Sequence, residues 1–554
     1  MAEEASTRTV KLHYMAMEPG AAPANAKSLL EGWEYKTREP LLNGPVSRRL
    51  AVVDIDPDTG NVLPGAVFVP PSKKSKLGRY KVANEMDADQ PDFQQVSVFG
   101  AVVRMMQMFE EPDVLGRQLR WGFNGEQLLV VPRAGRMQNA FYHRDSRSLQ
   151  FFFFDDPKTE GKLVYTCLSP DIVAHETSHA ILDGIAPDLY DATSPQSLAL
   201  HEAIADIGAV MFALRSSRLG REVLEMTGGD LRKSNAFNKI AQQFGEAIHG
   251  DERPLRDLFN KHTMDDVSNE PHDLSEVLTG ALYAVMVRVQ DKTKKELAAE
   301  GGISEFSASG RALFSAGQRL KRLAFRGLDY LPPGEISFAD YARAIVAADT
   351  SSNPIDHELR DIAKEEFVRR KIVAQGAELD RVLPISFVLP ADLDLDLLVL
   401  SDWAAYQFAE RFRAELMIPP NVPFDVRPRL DISKKTFQHG EVEATTREFI
   451  LKVAWRENKL VNTGGGLFDE ISITFGTTLA INWDQRQICG LLSTSPLDPS
   501  QLHAATAVNN MMREAHLKAC LDEGLLEIGT PNVQLQGRTL RVRAMGQMLH
   551  MVEH

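Results

Sequence analysis

Cysteine is scarce in this chain. Three occur in 554 residues, Cys167, Cys489 and Cys520, far apart and with no Cys-x-x-Cys pair. That pattern excludes a disulfide framework, and the three read as small buried apolar residues. Long apolar runs are missing too. No stretch approaches the ~18 consecutive apolar residues of a membrane helix, so no membrane span is expected. Positive charge is in deficit: the formal net charge is −14, and no Lys/Arg cluster offsets it. Nucleic acid is therefore not an expected partner. The opening stretch MAEEASTRTVKLHYMAMEPG has no basic region followed by an apolar run, so no signal peptide is recognisable. The expectation is a cytoplasmic protein, with export by a route lacking a cleaved signal as the alternative. What remains is an ordinary globular composition, 44% hydrophobic and 25% charged, in a chain long enough for two to four domains.

The pattern along the chain changes three times. Residues 1–49 are mixed and partly loop-like and read as an N-terminal extension. Residues 50–168 are rich in strand signals, at Leu50–Ile55, Gln127–Val131, Asn139–Tyr142 and Leu149–Phe154, with helical spacing over 93–111. From Pro170 the period becomes helical, with segments at about 170–184, 195–216, 236–248, 272–300, 309–326, 337–348 and 355–373, so 169–374 is a helical region. Residues 375–420 read as a helical linker ending in the Pro-rich break Ile418–Pro423. Residues 421–554 read as a separate α+β domain of unassigned role, with strands at 447–455, 470–482 and 486–493, a helix at 499–523 and strands at 533–536 and 539–544. The fold class expected is α+β.

Within the helical region stands His175-Glu176-Thr177-Ser178-His179. Two histidines four apart on a helix lie on one face, a turn apart, and can present two imidazole nitrogens to one Zn²⁺. The glutamate between them points near the open side, where a bound water would sit. A surface helix with two solvated histidines is the bland alternative. The flanks Ile172-Val173-Ala174 and Ala180-Ile181-Leu182 argue against it, because a mostly apolar helix is buried and buried histidines need partners.

A catalytic zinc usually takes three protein ligands and keeps one open position. A third histidine close behind the motif is excluded, because Leu182 and Ile185 occupy the Gly and His positions of that pattern. A glutamate on a following helix is the other option, and Leu198–Ile207 supplies one. Glu202 lies 23 residues after His179. Asp206, four residues on, shares its face and can accept the second N–H of a ligand histidine. His201 is the adjacent competitor, and Glu202 is preferred.

These motifs resemble those of thermolysin and its family of gluzincin neutral metallopeptidases. The helix Asp171–Asp183 is similar to that family's active-site helix. His201-Glu202-Ala203-Ile204-Ala205-Asp206 is similar to its Asn-Glu-Ala-x-x-Asp helix. The resemblance is specific over 139–282 and extends over about 50–373. It implies a two-lobed catalytic unit, strand-rich then mostly helical, followed here by an additional α+β domain. It implies a zinc metalloprotease, a hydrolase of peptide bonds. Glu176 would be the general base, with Tyr190 and His272 stabilising the transition state. Asp266 would orient His272. Asn139 and Ala140 would hold the substrate backbone, and Arg256 would bind a substrate carbonyl. Ile172 and Leu255 would prefer an apolar residue after the cleaved bond. A calcium ligand falls at Asp171, but Ala213 stands at its partner position, so the resemblance does not carry the calcium site. A peptide or protein substrate is the implied partner. Two other classes stay open: an idle zinc-containing binding or assembly protein, and a hydrolase of non-peptide amides, which predicts a closed pocket.

Overall fold

The computed structural model describes residues 7–18, 28–73, 75–157, 159–240, 256–380, 387–438, 441–462, 468–497 and 503–550. It is a mixed α and β protein. Its first strands, β1 (Arg8–Met15) and β2 (Leu30–Thr37), pair antiparallel. They are followed by β3 (Leu50–Val52), β4 (Phe68–Val69) and β5 (Gly78–Tyr80), and the first sheet has the order β2-β1-β5-β4. Helix α1 (Pro91–Glu110) then crosses behind it, buried along almost its whole length. A second sheet, of order β3-β6-β8-β7, is completed by β6 (Leu128–Val131), β7 (Ala140–His143) and β8 (Ser148–Phe151). Strand β7 pairs only with β8 among the described residues, so its outer side is a sheet edge.

The reading of 1–49 as an extension is corrected here. Val10, Leu12 and Tyr14 of β1 belong to the main core. α1 approaches β1 so closely that a Cβ at Gly100 would lie 1.9 Å from the His13 carbonyl oxygen. Alternation of Val10, Leu12 and Tyr14 with Lys11 and His13 is the physical cause, since every second side chain faces α1.

The helical region starts with α2 (Pro170–Ile185) and α3 (Pro195–Ala213). Then come α4 (Pro271–Glu300), α5 (Glu305–Arg326) and α6 (Phe338–Ser352). The helix expected at 236–248 is replaced at its start by a turn and a two-residue strand, Lys239–Ile240; the rest of it lies outside the described residues. Helices α2 and α3 press together at Gly208, where a Cβ would fall 2.1 Å from Ser178 Oγ. Every residue of α3 is buried. Among the described residues, no single helix is long and apolar enough to cross a membrane.

A seven-stranded sheet follows, built around β10 (Glu441–Leu460) and β11 (Glu470–Asn482). β9 (Leu430–Gln438) flanks β10, and β12 (Gln487–Ser493) flanks β11. After α7 (His503–Asp522), β13 (Val533–Gln536) and β14 (Thr539–Val542) extend this sheet, and α8 (Met545–His550) ends the described chain. This part has apolar clusters of its own and is also tied to the helices by buried charged groups. Arg326 of α5 reaches Glu448 of β10 at 3.1 Å, and Tyr330 and Ser351 hydroxyls donate to the same carboxylate at 3.3 and 3.0 Å. Lys434 of β9 lies 3.5 Å from Asp329 and 3.7 Å from Glu448, and Arg117 completes the network on Asp329 at 2.6 Å. Lys434, Glu448 and Asp329 have fully buried side chains. The cysteines are all free.

Removing one member of this network strands the others without water. Glu448→Ala is expected to cost about 3–5 kcal/mol in urea unfolding, while a surface control such as Glu126→Ala costs almost nothing. Burial would raise the Asp329 carboxyl, but Arg117 and Lys434 outweigh it and hold the pKa down at about 2. Because the folded value lies below the unfolded one near 4, this contribution is present above pH ~4 and is lost as pH falls towards 2. Asp329→Asn should remove that part of the acid-induced loss.

Candidate metal centre

Proline opens α2 at its first turn, where the missing amide hydrogen is not needed, and Asp171 sits beside it at the positive end of the helix. Inside the helix, Thr177 and Ser178 hydroxyls donate to the Val173 and Ala174 carbonyls, at 2.6 and 2.8 Å. Their burial is thereby satisfied, and the face with His175 and His179 turns to α3. The two Nε2 atoms come within 3.0 Å of each other. From α3, Glu202 Oε2 reaches to 3.4 Å of His175 Nε2 and Oε1 to 3.5 Å of His179 Nε2. Ligands held tetrahedrally at about 2.0–2.1 Å from one ion are ~3.3 Å apart, so this donor set fits a four-coordinate metal.

Glu176 is the rival for the third position, since its carboxylate can lie within 4.8 Å of both histidine donors. Its Oε2 instead accepts the Tyr142 amide of β7 at 3.0 Å. Glu202 touches both imidazole nitrogens and is the better-placed ligand, leaving Glu176 beside the sheet edge.

Behind the ligands lies a layer of orienting groups. His175 Nδ1 faces Asp206 Oδ1 at 3.0 Å, which places its proton on Nδ1 and leaves the Nε2 lone pair for the metal. His179 Nδ1 faces His201 Nδ1 at 2.6 Å. His201 thus lies behind His179, with one ring nitrogen engaged by it. Arg256 is 9% exposed, with one nitrogen 2.8 Å from Asp206 and another 3.1 Å from Glu202. Two of its nitrogens are committed to the acids of the site.

Tyr190, His272, His179 and Glu202 line one cavity of about 10 Å³, together with Tyr142, Leu198 and His201. Burial pushes the Tyr190 hydroxyl well above its ordinary range, so it stays a donor. Arg144 stacks 4.2 Å from its ring centroid and anchors the loop through Asp183 and Asp191, at 3.0 and 2.9 Å. His272 Nε2 points inward, 3.8 Å from Glu202. Its Nδ1 faces Glu270 at 2.7 Å, and Glu270 also caps α4 through the Asp273 amide. This corrects Asp266, which is turned away and accepts the Thr263 amide and hydroxyl. Burial would raise Glu270, but His272 outweighs it and holds the carboxyl low. Asn139 is buried, its Oδ1 accepting the Ala140 amide at 2.8 Å where β7 begins. Ile172 is buried on α2, and Leu255 lies outside the described residues.

Without metal, burial would lower the His175 pKa, but Asp206 and Glu202 outweigh it and hold it up at about 10. Below that pH the imidazole carries a proton that an incoming metal must displace. Zinc titration is expected to release about one proton per ion, with affinity rising about tenfold per pH unit between 6 and 9. Calorimetry in buffers of different ionisation enthalpy measures both, and a pH-independent affinity would contradict the arrangement. No protein-family model matches this chain, and no curated protein does either.

Proposed function

We propose that the protein is a zinc-dependent endopeptidase of the thermolysin-like, gluzincin type. The observation that supports this most is the convergence of His175, His179 and Glu202, with Glu176 beside the two histidines and Tyr190 and His272 lining the adjoining cavity. The ligand set, two imidazoles and a carboxylate with no sulfur, is of the kind that catalytic zinc uses. His175, His179 and Glu202 would hold the zinc, which would supply Lewis-acid polarisation there.

The protein's own residues do the rest. Glu176 takes the proton of the attacking water at its carboxylate and passes it to the leaving amine. The Tyr190 hydroxyl and His272 Nε2 donate to the carbonyl oxygen as it gains charge. Glu270 accepts the proton of His272 Nδ1, the role expected of Asp266 from the sequence, and Nε2 donates in the imidazolium form, with both nitrogens protonated. The outer edge of β7, begun by Asn139 and Ala140, would add an extended peptide as a further strand once uncovered. Ile172 favours an apolar residue after the cleaved bond. Arg256 holds Glu202 and Asp206, and a substrate carbonyl would share its remaining donors. The two-lobed thermolysin-like arrangement is part of this proposal.

One observation favours a second reading. The cavity has room for about one water, and ligand sites for small molecules run to hundreds of Å³. A covered site is what an idle zinc-containing assembly protein would have. A closed pocket is also what a hydrolase of non-peptide amides predicts. Glu176→Gln separates the readings. Zinc content should stay unchanged while cleavage of an apolar peptide substrate falls about 10²–10⁴-fold. Zinc in both proteins with cleavage in neither would favour the idle reading.

A further inference from the structure

The cavity is small because something lies over it. We propose that residues 544–550 are an autoinhibitory cover of the peptidase site; this rests on the reading above. Three hydrogen bonds hold the segment there. The Ala544 amide donates to Asp191 Oδ1 at 2.7 Å, and the Gly546 amide to the Tyr190 carbonyl at 3.1 Å. The Tyr190 hydroxyl donates to Gln547 Oε1 at 3.3 Å. Gly546 is itself a wall of the cavity, opposite His179, Glu202 and His272.

The third bond carries the chemical point. Gln547 offers Tyr190 an amide carbonyl, the functional group that a scissile peptide would bring. The Tyr190 donor needed for catalysis is thus engaged by a side chain that has no bond to cleave in that position. Gln547 is 5% exposed, so the cover also excludes water and substrate from this side. While α8 is in place, no peptide can lie along β7 and reach the metal ligands.

The hold is suited to release. α8 has six residues, too few to be stable as an isolated helix. The chain enters it through Ala544 at φ +54°, a conformation that L-residues other than glycine seldom adopt. Its apolar anchor, Met545, packs into a small cluster with Leu198, Leu517, Val533 and Leu540, apart from the main core. Ala544 is the residue of the segment that reaches the main core, so opening α8 beyond it leaves that core in place.

Gly546 provides a full-chain test. A Cβ there would sit 3.5 Å from the Tyr190 carbonyl oxygen and 3.6 Å from its ring, so alanine fits and an indole does not. Gly546→Trp should wedge α8 away, and Gln547→Ala should free Tyr190 without a wedge. Zinc-loaded wild type and both variants are compared for binding of a fluorescein-tagged leucine hydroxamate and for cleavage of a quenched apolar peptide. If the open form is a minor population in wild type, Gly546→Trp raises hydroxamate affinity and kcat/KM about tenfold or more, and Gln547→Ala raises them by less. Hydroxamate affinity equal in all three proteins, whether tight or absent, overturns the cover. Higher affinity in the variants with no cleavage by any of them keeps the cover and sinks the peptidase reading. Equal binding with equal, active cleavage does the reverse.

Discussion

Burial of acids and imidazoles between two apolar helices is the constraint on which this molecule depends. α3 carries Glu202 and Asp206 where no water reaches, and α2 presents two histidine nitrogens to them at 3.4–3.5 Å. Uncompensated, such charges are costly to bury. Arg256 offsets part of the cost from one side, and a bound cation would offset the rest. Close approach of α2 and α3 at Gly208 keeps the donors within reach of one ion, and α1 packs beneath them.

The same logic of buried, mutually compensated charge joins the later sheet to the helices. Arg326, Lys434 and Arg117 enclose Glu448 and Asp329, which ties β9 and β10 to α5. That attachment is what lets the chain beyond it return to the site with a defined register. α7 runs beside α3, where Gln196 donates to Met512 Sδ at 3.8 Å, and α8 then lands on Tyr190.

Local chemistry was legible where it repeats along the chain. Pro170 and Pro195 mark two helix starts, apolar spacing marks their lengths, and His175, His179 and Glu202 follow from which residues share a face. Later strands were visible at 447–455, 470–482 and 486–493, but Leu430–Gln438 was not. What was hidden depends on contacts distant in sequence or on loop geometry. Glu270 takes the place expected of Asp266 because the turn before α4, not residue spacing, decides which acid meets His272 Nδ1. His201 has the chemistry of a ligand, and its contact with His179 Nδ1 is not legible from spacing. β1 reads as an extension because its partners, β5 and α1, lie further along the chain. Nothing in Gln547 itself indicates a bond to Tyr190, 357 residues away.

The account stands or falls on which residues hold the metal. X-ray absorption on the zinc-loaded full chain reads this directly, in wild type, Glu202→Ala and Glu176→Gln. The account predicts two imidazoles and oxygen ligands with no sulfur in wild type. It predicts the same shell in Glu176→Gln and a lost protein ligand in Glu202→Ala. A shell that changes with Glu176→Gln and not with Glu202→Ala, or that contains sulfur, would contradict it.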